Sequence, residues 1–304
     1  MTATPVPRSR VPISRAATRV AVRTTIRSLG AVAPPVAVRT AAALMMRVGR
    51  PAVIRPADRP VHERSVRGTL DVRSERVATY RWGDADAPTV LVAHGWQLRA
   101  SRMAAVVAGL EAAGLTVVAF DAVAHGDSTG RTTNVLEVAE VLQRLADGVV
   151  ARGAEVAGVV GHSLGGLAAG IALRDGLPST RWVAINAPCS VASVETSFAR
   201  NVALPPRLVP ALDTAVVHRL FPDDPGASAR AELVEHPAPP GVAALFVRDV
   251  DDTLGQPGDS RRLHAAHPGS DLLVTSGLGH NRVLDDAYVV RSVLRHVTAA
   301  PVHR

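Results

Sequence analysis

Short apolar runs alternate with helix-like stretches along most of the chain, from about residue 66 onward. The run Thr-Val-Leu-Val-Ala at 89–93 is typical of a strand that is buried on both faces. Comparable runs follow at 115–120, 156–160, 182–185, 243–247 and 272–275. Because parallel strands need crossover connections, this order predicts an α/β fold with a mostly parallel sheet and helices on both faces.

A hairpin is predicted at the start of this alternating region and a helix at its end. Residues 66–72 and 76–82 flank Arg73-Ser74-Glu75 and predict a hairpin, which gives the sheet one antiparallel edge. Helical periodicity over 283–297 predicts a closing helix.

The alternation also fails between Ala187 and Gly241, where prolines are frequent and the helical pieces are short, at 193–203 and 214–221. An irregular insertion of this length inside a compact domain is usually functional. We therefore expect a small helical cap over the active site at about 188–241.

Residues 1–60 form a basic leader that differs from the predicted catalytic domain at 61–304. No acidic residue precedes Asp58, and four arginines spaced by four would form one stripe on a helix. The opposite face would hold Ile13, Ala17, Val20, Ala21 and Thr24. We expect a helical arm that packs on its own catalytic domain with its arginines in water; peripheral contact with an anionic membrane is the alternative.

The leader does not predict a membrane span or a signal peptide. Its apolar stretch at 36–48 is interrupted by Arg39 and Arg47, and a spanning helix needs roughly 20 apolar residues. No apolar region with a cleavage site follows the basic start. A cytoplasmic location is expected, with a membrane-peripheral one as the alternative.

Composition narrows the function classes. With 47% hydrophobic residues the chain can bury a large core. The net charge of +7 lies mainly in the leader, so no nucleic-acid partner is expected. The single cysteine, Cys189, excludes an intrachain disulfide and is expected to be a small buried residue. Neither Cys-x-x-Cys nor His-Glu-x-x-His occurs, so no metal or cofactor is expected.

The candidate nucleophile is Ser163, in Gly161-His162-Ser163-Leu164-Gly165. A strand-like run precedes the motif and a helix-like stretch follows it, so the serine falls on a sharp strand-to-helix turn. Glycines leave room for that turn, which lifts the hydroxyl into a cleft at a helix N-terminus. The context predicts a nucleophile elbow.

A serine hydroxyl needs a base, and eleven histidines are available. His162 is adjacent, but its side chain should point away from that of Ser163. His94 and His125 lie near strand ends. His280 follows the last strand and comes after both nucleophile and acid in the chain, so it is the favoured base.

The acid should follow the strand at 243–247, where three aspartates compete. It must reach the imidazole from a loop, so it should lie a few residues beyond the strand. Asp252 is favoured, with Asp249 and Asp251 as alternatives.

The oxyanion of a tetrahedral intermediate needs backbone N–H donors. One is expected from Leu164, the residue after the nucleophile. The other should come from the loop after the strand at 89–93, which makes Trp96 the candidate.

Taken together, these motifs resemble the α/β-hydrolase family from about Val66 to the C-terminus. The marks are His94-Gly95-Trp96, Asp121-Ala122-Val123-Ala124-His125-Gly126-Asp127-Ser128, the Gly161–Gly166 turn, the Asp252 segment and Gly279-His280. The resemblance implies an eight-stranded sheet with a variable cap, and structural roles for Asp121 and His125. Ala124 replaces the glycine that the family has in this turn.

The expected function is a serine hydrolase that cleaves a carboxylic ester with a modest apolar acyl group through Ser163, His280 and Asp252. Thioesters, lactones and peptides use the same machinery and stay open as substrates. A non-catalytic binding protein on a hydrolase fold is the alternative from another class.

Overall fold

One eight-stranded sheet forms the centre of the protein in a computed structural model, which describes residues 15–220 and 226–299. The strand order is β1-β2-β4-β3-β5-β6-β7-β8. The strands are β1 Val66–Val72, β2 Glu75–Trp82, β3 Thr89–Ala93, β4 Thr116–Phe120, β5 Val156–His162, β6 Arg181–Ile185, β7 Ala243–Asp249 and β8 Asp271–Thr275.

Helices cover the sheet and fill the insertion. They are α1 Arg15–Val32, α2 Pro34–Met46, α3 Arg59–Glu63, α4 Ala104–Ala112, α5 Val135–Val150, α6 Leu164–Arg174, α7 Val191–Val202, α8 Val209–Leu220, α9 Ala227–Arg230, α10 Asp259–Ala266, α11 Gly279–Arg282 and α12 Ala287–Thr298. Asn134 caps α5 by accepting a hydrogen bond from the Glu137 N–H.

The predicted fold class is confirmed. The strand β2 pairs antiparallel with β1 and β4, and every other pairing in the sheet is parallel. Alternate side chains of β3 enter different cores: Leu91 and Ala93 pack on one face, and Val90 and Val92 on the other. Burial on both faces explains why this strand is a continuous apolar run.

The predicted start of the closing helix is wrong. The helix α12 begins at Ala287 because the Asp286 side chain accepts hydrogen bonds from the N–H groups of Tyr288 and Val289. The short helix α11 and a 3-10 turn occupy the stretch before it, between His280 and Asp285.

The arm, defined as α1 and α2, packs on α7 and α8 of the insertion. A shared apolar cluster contains Ile26, Ala37, Ala41, Ala42 and Met46 from the arm, and Ala199, Val202, Leu204, Leu212 and Val216 from the insertion. The helices of the insertion expected at about 188–241 therefore pack against the two helices of the arm.

The packing face of α1 differs from the predicted one. Ile26 is buried, and Val22 and Leu29 pack around it, whereas Val20 on the expected apolar face is 63% exposed. The larger aliphatic side chains bury more apolar area than the alanines of the other face. Arg23, expected in water, is half-buried beside this cluster. Ile13, which is expected on the apolar face, and Phe221, the last residue of the helical piece expected at 214–221, lie outside the described residues.

Among the residues that the structure describes, no helix has the length and apolar character that a membrane crossing requires.

Cys189 is fully buried, and burial raises the pKa of its thiol to about 12, helped by the neighbouring Asp259. A thiol in that state is a poor nucleophile.

Candidate functional site

Ser163 lies at a tight turn between β5 and α6. Its backbone has φ +53° and ψ −124°, a conformation that L-residues rarely adopt. The turn requires glycine at 161, because a Cβ there would lie 2.3 Å from the carbonyl oxygen of Gly165. Strain and close packing together project the Ser163 side chain into the cavity in front of the sheet.

The structure brings Ser163, His280 and Asp252 together. The Oγ of Ser163 lies 3.0 Å from Nε2 of His280, and the Nδ1 of His280 lies 2.7 Å from Oδ2 of Asp252. Only 15% of the His280 side chain and 8% of the Asp252 side chain are exposed. Burial raises the pKa of Asp252, but hydrogen bonds from His280 and from the N–H groups of Leu254 and Gly255 lower it more, so the carboxylate is ionised.

The other two aspartates of the loop hold backbone. Asp249 is fully buried and accepts hydrogen bonds from the N–H groups of Gly279 at 2.8 Å and Leu278 at 3.2 Å. Despite its burial, these bonds and that from Thr275 keep the pKa of Asp249 below its usual value. Asp251 accepts from the N–H of Gly277 at 2.6 Å. Neither contacts the ring of His280 in the way that Asp252 does.

His162 and Asn186 fix the backbone of His280. Sequence reasoning missed this role for both residues. The Nε2–H of His162 donates to the His280 carbonyl at 2.8 Å, and the side-chain amide of Asn186 donates to the same oxygen at 3.3 Å. Burial and the nearby His280 ring lower the pKa of His162 to about 3, so it is neutral. His162 does point away from Ser163, but it reaches the candidate base from behind.

The loop after β3 lies against the nucleophile turn. A Cβ on Gly95 would lie 2.9 Å from the Cβ of Ser163, so the chain next to Trp96 runs beside the reacting hydroxyl. Leu164 is the first residue of α6, so its N–H has no acceptor within that helix. The N–H of Trp96 donates to no other residue in the described part of the chain.

Two neutral histidines hold that loop in place. The Nε2 of His125 accepts from the Gln97 N–H at 2.9 Å, while its Nδ1–H donates to Val123. Burial, together with neighbouring His94, lowers the pKa of His125 to about 4. His94 accepts from the Ala122 N–H in the same way, at 2.9 Å.

A partly buried ion cluster completes the support of the loop. Asp121 accepts from the Ala100 N–H at 2.7 Å, and Arg99 bridges Asp121 and Asp127 at 3.1 and 2.7 Å.

In the turn that follows β4, Ala124 has φ +66°, a left-handed conformation that favours glycine.

The loop that carries His280 is also clamped from its other end. Buried Arg102 donates to the Asn281 carbonyl and to both carboxylate oxygens of Asp285 at 2.8 and 2.9 Å. Arg55 pairs with Asp285 from the opposite side at 3.0 Å.

A cavity of about 700 Å³ opens in front of Ser163 and His280. Its walls are mainly apolar and come from the loop after β3, the insertion and the arm. The apolar lining includes Leu44, Met45, Met46, Trp96, Leu98, Leu136, Val191, Val194, Phe198, Val216, Val217, Leu220 and Leu254.

A family model described as the alpha/beta hydrolase family matches residues 90–300. No curated protein matches the chain. Among solved structures, the fold is similar to that of an esterase from Pyrococcus furiosus, at 19% identity and a TM-score of 0.59, over 83% of this chain and 97% of that one.

Two further solved structures are similar at the level of the fold. One is a thioesterase domain from the curacin biosynthetic pathway, at 18% identity and a TM-score of 0.55, over 76% of this chain and 99% of that one. The other is mouse alpha/beta hydrolase domain-containing protein 10, at 18% identity and a TM-score of 0.57, over 75% and 95% of the two chains.

Proposed function

Because the chain belongs to the alpha/beta hydrolase family, we propose that it is a serine hydrolase that transfers the acyl group of a carboxylic ester to water. The observation that carries the proposal is the continuous contact from Ser163 through His280 to Asp252, at 3.0 and 2.7 Å. In this proposal, residues 61–304 form the catalytic unit, and the substrate is a small ester-like molecule.

The proposed reaction has two steps. Ser163 Oγ attacks the ester carbonyl carbon while His280 Nε2 accepts its proton; His280 then protonates the leaving alcohol. Water next attacks the acyl-serine and gives a proton to His280. His280 then returns that proton to Ser163 Oγ as the acyl–Oγ bond breaks, which releases the carboxylic acid. Asp252 holds His280 in the Nδ1–H tautomer and stabilises the imidazolium that forms in each step.

The negative charge on the carbonyl oxygen would be stabilised by the N–H groups of Trp96 and Leu164. A donor of this kind contributes typically ~3 kcal/mol of transition-state stabilisation. His162 and Asn186 are positioning residues, because they fix the His280 backbone and touch no reacting atom.

Thioesters form the second candidate substrate class. The same geometry serves them, because a thiolate leaves more readily than an alkoxide and needs less protonation from His280. A thioesterase domain is among the proteins of similar fold. Comparing ester and thioester pairs with the same acyl group separates the two.

Ser163→Ala tests the proposal. We expect it to lower kcat for p-nitrophenyl ester hydrolysis by about a thousandfold or more. The matched control is Ser197→Ala, since Ser197 lines the same cavity without contacting His280. Undiminished hydrolysis in the Ser163 variant refutes the nucleophile. Absence of fluorophosphonate labelling in the folded wild type would favour a binding protein instead.

A further inference from the structure

The arm helix α2 forms one wall of the cavity that holds Ser163. Leu44, Met45 and Met46 in its last turn line that cavity. They share the lining with Phe198 of α7 and Leu220 of α8. A segment outside the proposed catalytic unit therefore contributes surface to the space in front of the nucleophile.

Close packing and hydrogen bonds hold the arm on the insertion. The guanidinium of Arg23 donates to the carbonyls of Arg200 and Asn201 at the end of α7, at 3.1 and 2.7 Å. Arg207 returns a hydrogen bond to the carbonyl of Gly30 at 2.9 Å. Cationic side chains at a helix C-terminus also interact favourably with the helix dipole.

Glycine at position 30 allows the close approach of the arm. A Cβ there would lie 2.7 Å from the ring of Pro205. Beyond α2, Arg47 pairs with Thr132 in an isolated β-bridge, so the chain is fixed on both sides of the cavity wall. The wall is thus a built part of the site.

The lining of the cavity is mainly apolar, and its polar members other than His280 and Arg19 are uncharged side chains such as Gln97, Asn134 and Asn186. No aspartate or glutamate lines the cavity among the residues that the structure describes, and its only arginine is Arg19. Methionine side chains are flexible and adapt to an extended apolar chain. Burying a methylene favours binding by up to about fourfold.

We propose that Leu44, Met45 and Met46 of the arm form part of an acyl-binding wall, which favours substrates with an extended apolar acyl chain over those with a short one. This inference rests on the proposed serine hydrolase function. It makes the arm a specificity element, with Met45 as its central residue.

The test compares Met45→Trp with Ala43→Trp. Met45 lines the cavity, whereas Ala43 lies on the same helix and is exposed to solvent. We expect Met45→Trp to lower the ratio of kcat/KM for p-nitrophenyl octanoate over acetate by about tenfold or more. Ala43→Trp should leave that ratio unchanged. An unchanged ratio in Met45→Trp would overturn the inference, including the case in which kcat/KM falls equally for both esters.

A second variant guards against misfolding. Met45→Gln keeps the length and shape of the side chain but places an amide against the acyl chain. It should lower the octanoate preference in the same direction, because a buried amide without a partner is unfavourable. Native-like circular dichroism and an unchanged ratio in this variant would also overturn the inference.

Binding separates failure of the inference from failure of the proposed function. Calorimetry with decanoate is done on Ser163→Ala, with and without Met45→Trp. If the wild type hydrolyses no ester, the proposed function fails, and weaker decanoate binding in the double variant still supports the wall. If hydrolysis depends on Ser163 but decanoate binds both proteins equally, only the inference fails.

Discussion

Glu195 gives the insertion a stability that depends on pH. Its side chain lies on α7, is 1% exposed, and has Asp213 of α8 as its hydrogen-bond partner. Its Oε1 accepts no hydrogen bond from a described residue. Burial first, and then the neighbouring Asp213, raise the pKa of Glu195 to about 8 from an ordinary value of 4.5.

The direction of the effect follows from the two protonation states. At neutral pH, Glu195 is protonated in the folded protein and ionised in the unfolded chain, so folding takes up a proton. The free energy of unfolding then falls as pH rises from about 4.5 to about 8. At 1.4 kcal/mol per pKa unit, the cost at pH 7 is ~3 kcal/mol compared with a side chain that stays neutral.

Glu195→Gln removes this dependence, because glutamine keeps the shape and the donor to Asp213 without ionising. We expect equal stability of the two proteins near about pH 4.5, and a variant that is more stable by ~3 kcal/mol near pH 7. Urea denaturation across that range measures it, with Glu63→Gln on the exposed surface of α3 as the control. Parallel pH profiles for Glu195→Gln and the wild type would refute the reasoning.

Two further substitutions follow from the site. Ala124→Gly should raise the free energy of unfolding by about 0.5–1 kcal/mol, because φ +66° strains alanine more than glycine gains entropy in the unfolded chain; thermal denaturation measures this, and a lowered melting temperature contradicts it. His162→Phe should lower kcat by about tenfold with little change in KM, since a misplaced His280 impairs proton transfer more than substrate binding. Steady-state kinetics decides, and a change confined to KM would assign His162 to substrate binding.

The local parts of the fold and site were predictable because they depend on short segments. Ser163, Asp252 and His280 each follow a strand of the parallel part of the sheet, and the carboxyl ends of parallel strands meet at one edge of the sheet. Asn134 can begin a helix by local interactions alone, because its side chain accepts a hydrogen bond from the Glu137 N–H three residues later. These features need no knowledge of distant contacts.

The other parts depend on tertiary contacts that no short segment carries. His162 supports His280 only because the end of β5 meets a loop that lies 118 residues further along the chain. The apolar face of α1 could not be chosen among alanines and valines without its partner surface. The apolar periodicity over 283–297 does not show where α12 begins, because Arg102 engages Asp285 in the preceding 3-10 turn and Asp286 then caps the helix.

The position of the arm has a consequence for the order in which the protein assembles during synthesis. Ile26 and Ala41 are translated before their partners on α7 and α8, which follow about 160 to 180 residues later. Until then the apolar side of the arm has no native surface to cover it, and contacts between segments so far apart form slowly. Its many arginines and complete lack of acidic side chains give mutual repulsion between nascent chains during that interval. The same charge that suggests a partner outside the molecule would thereby keep unfinished chains apart.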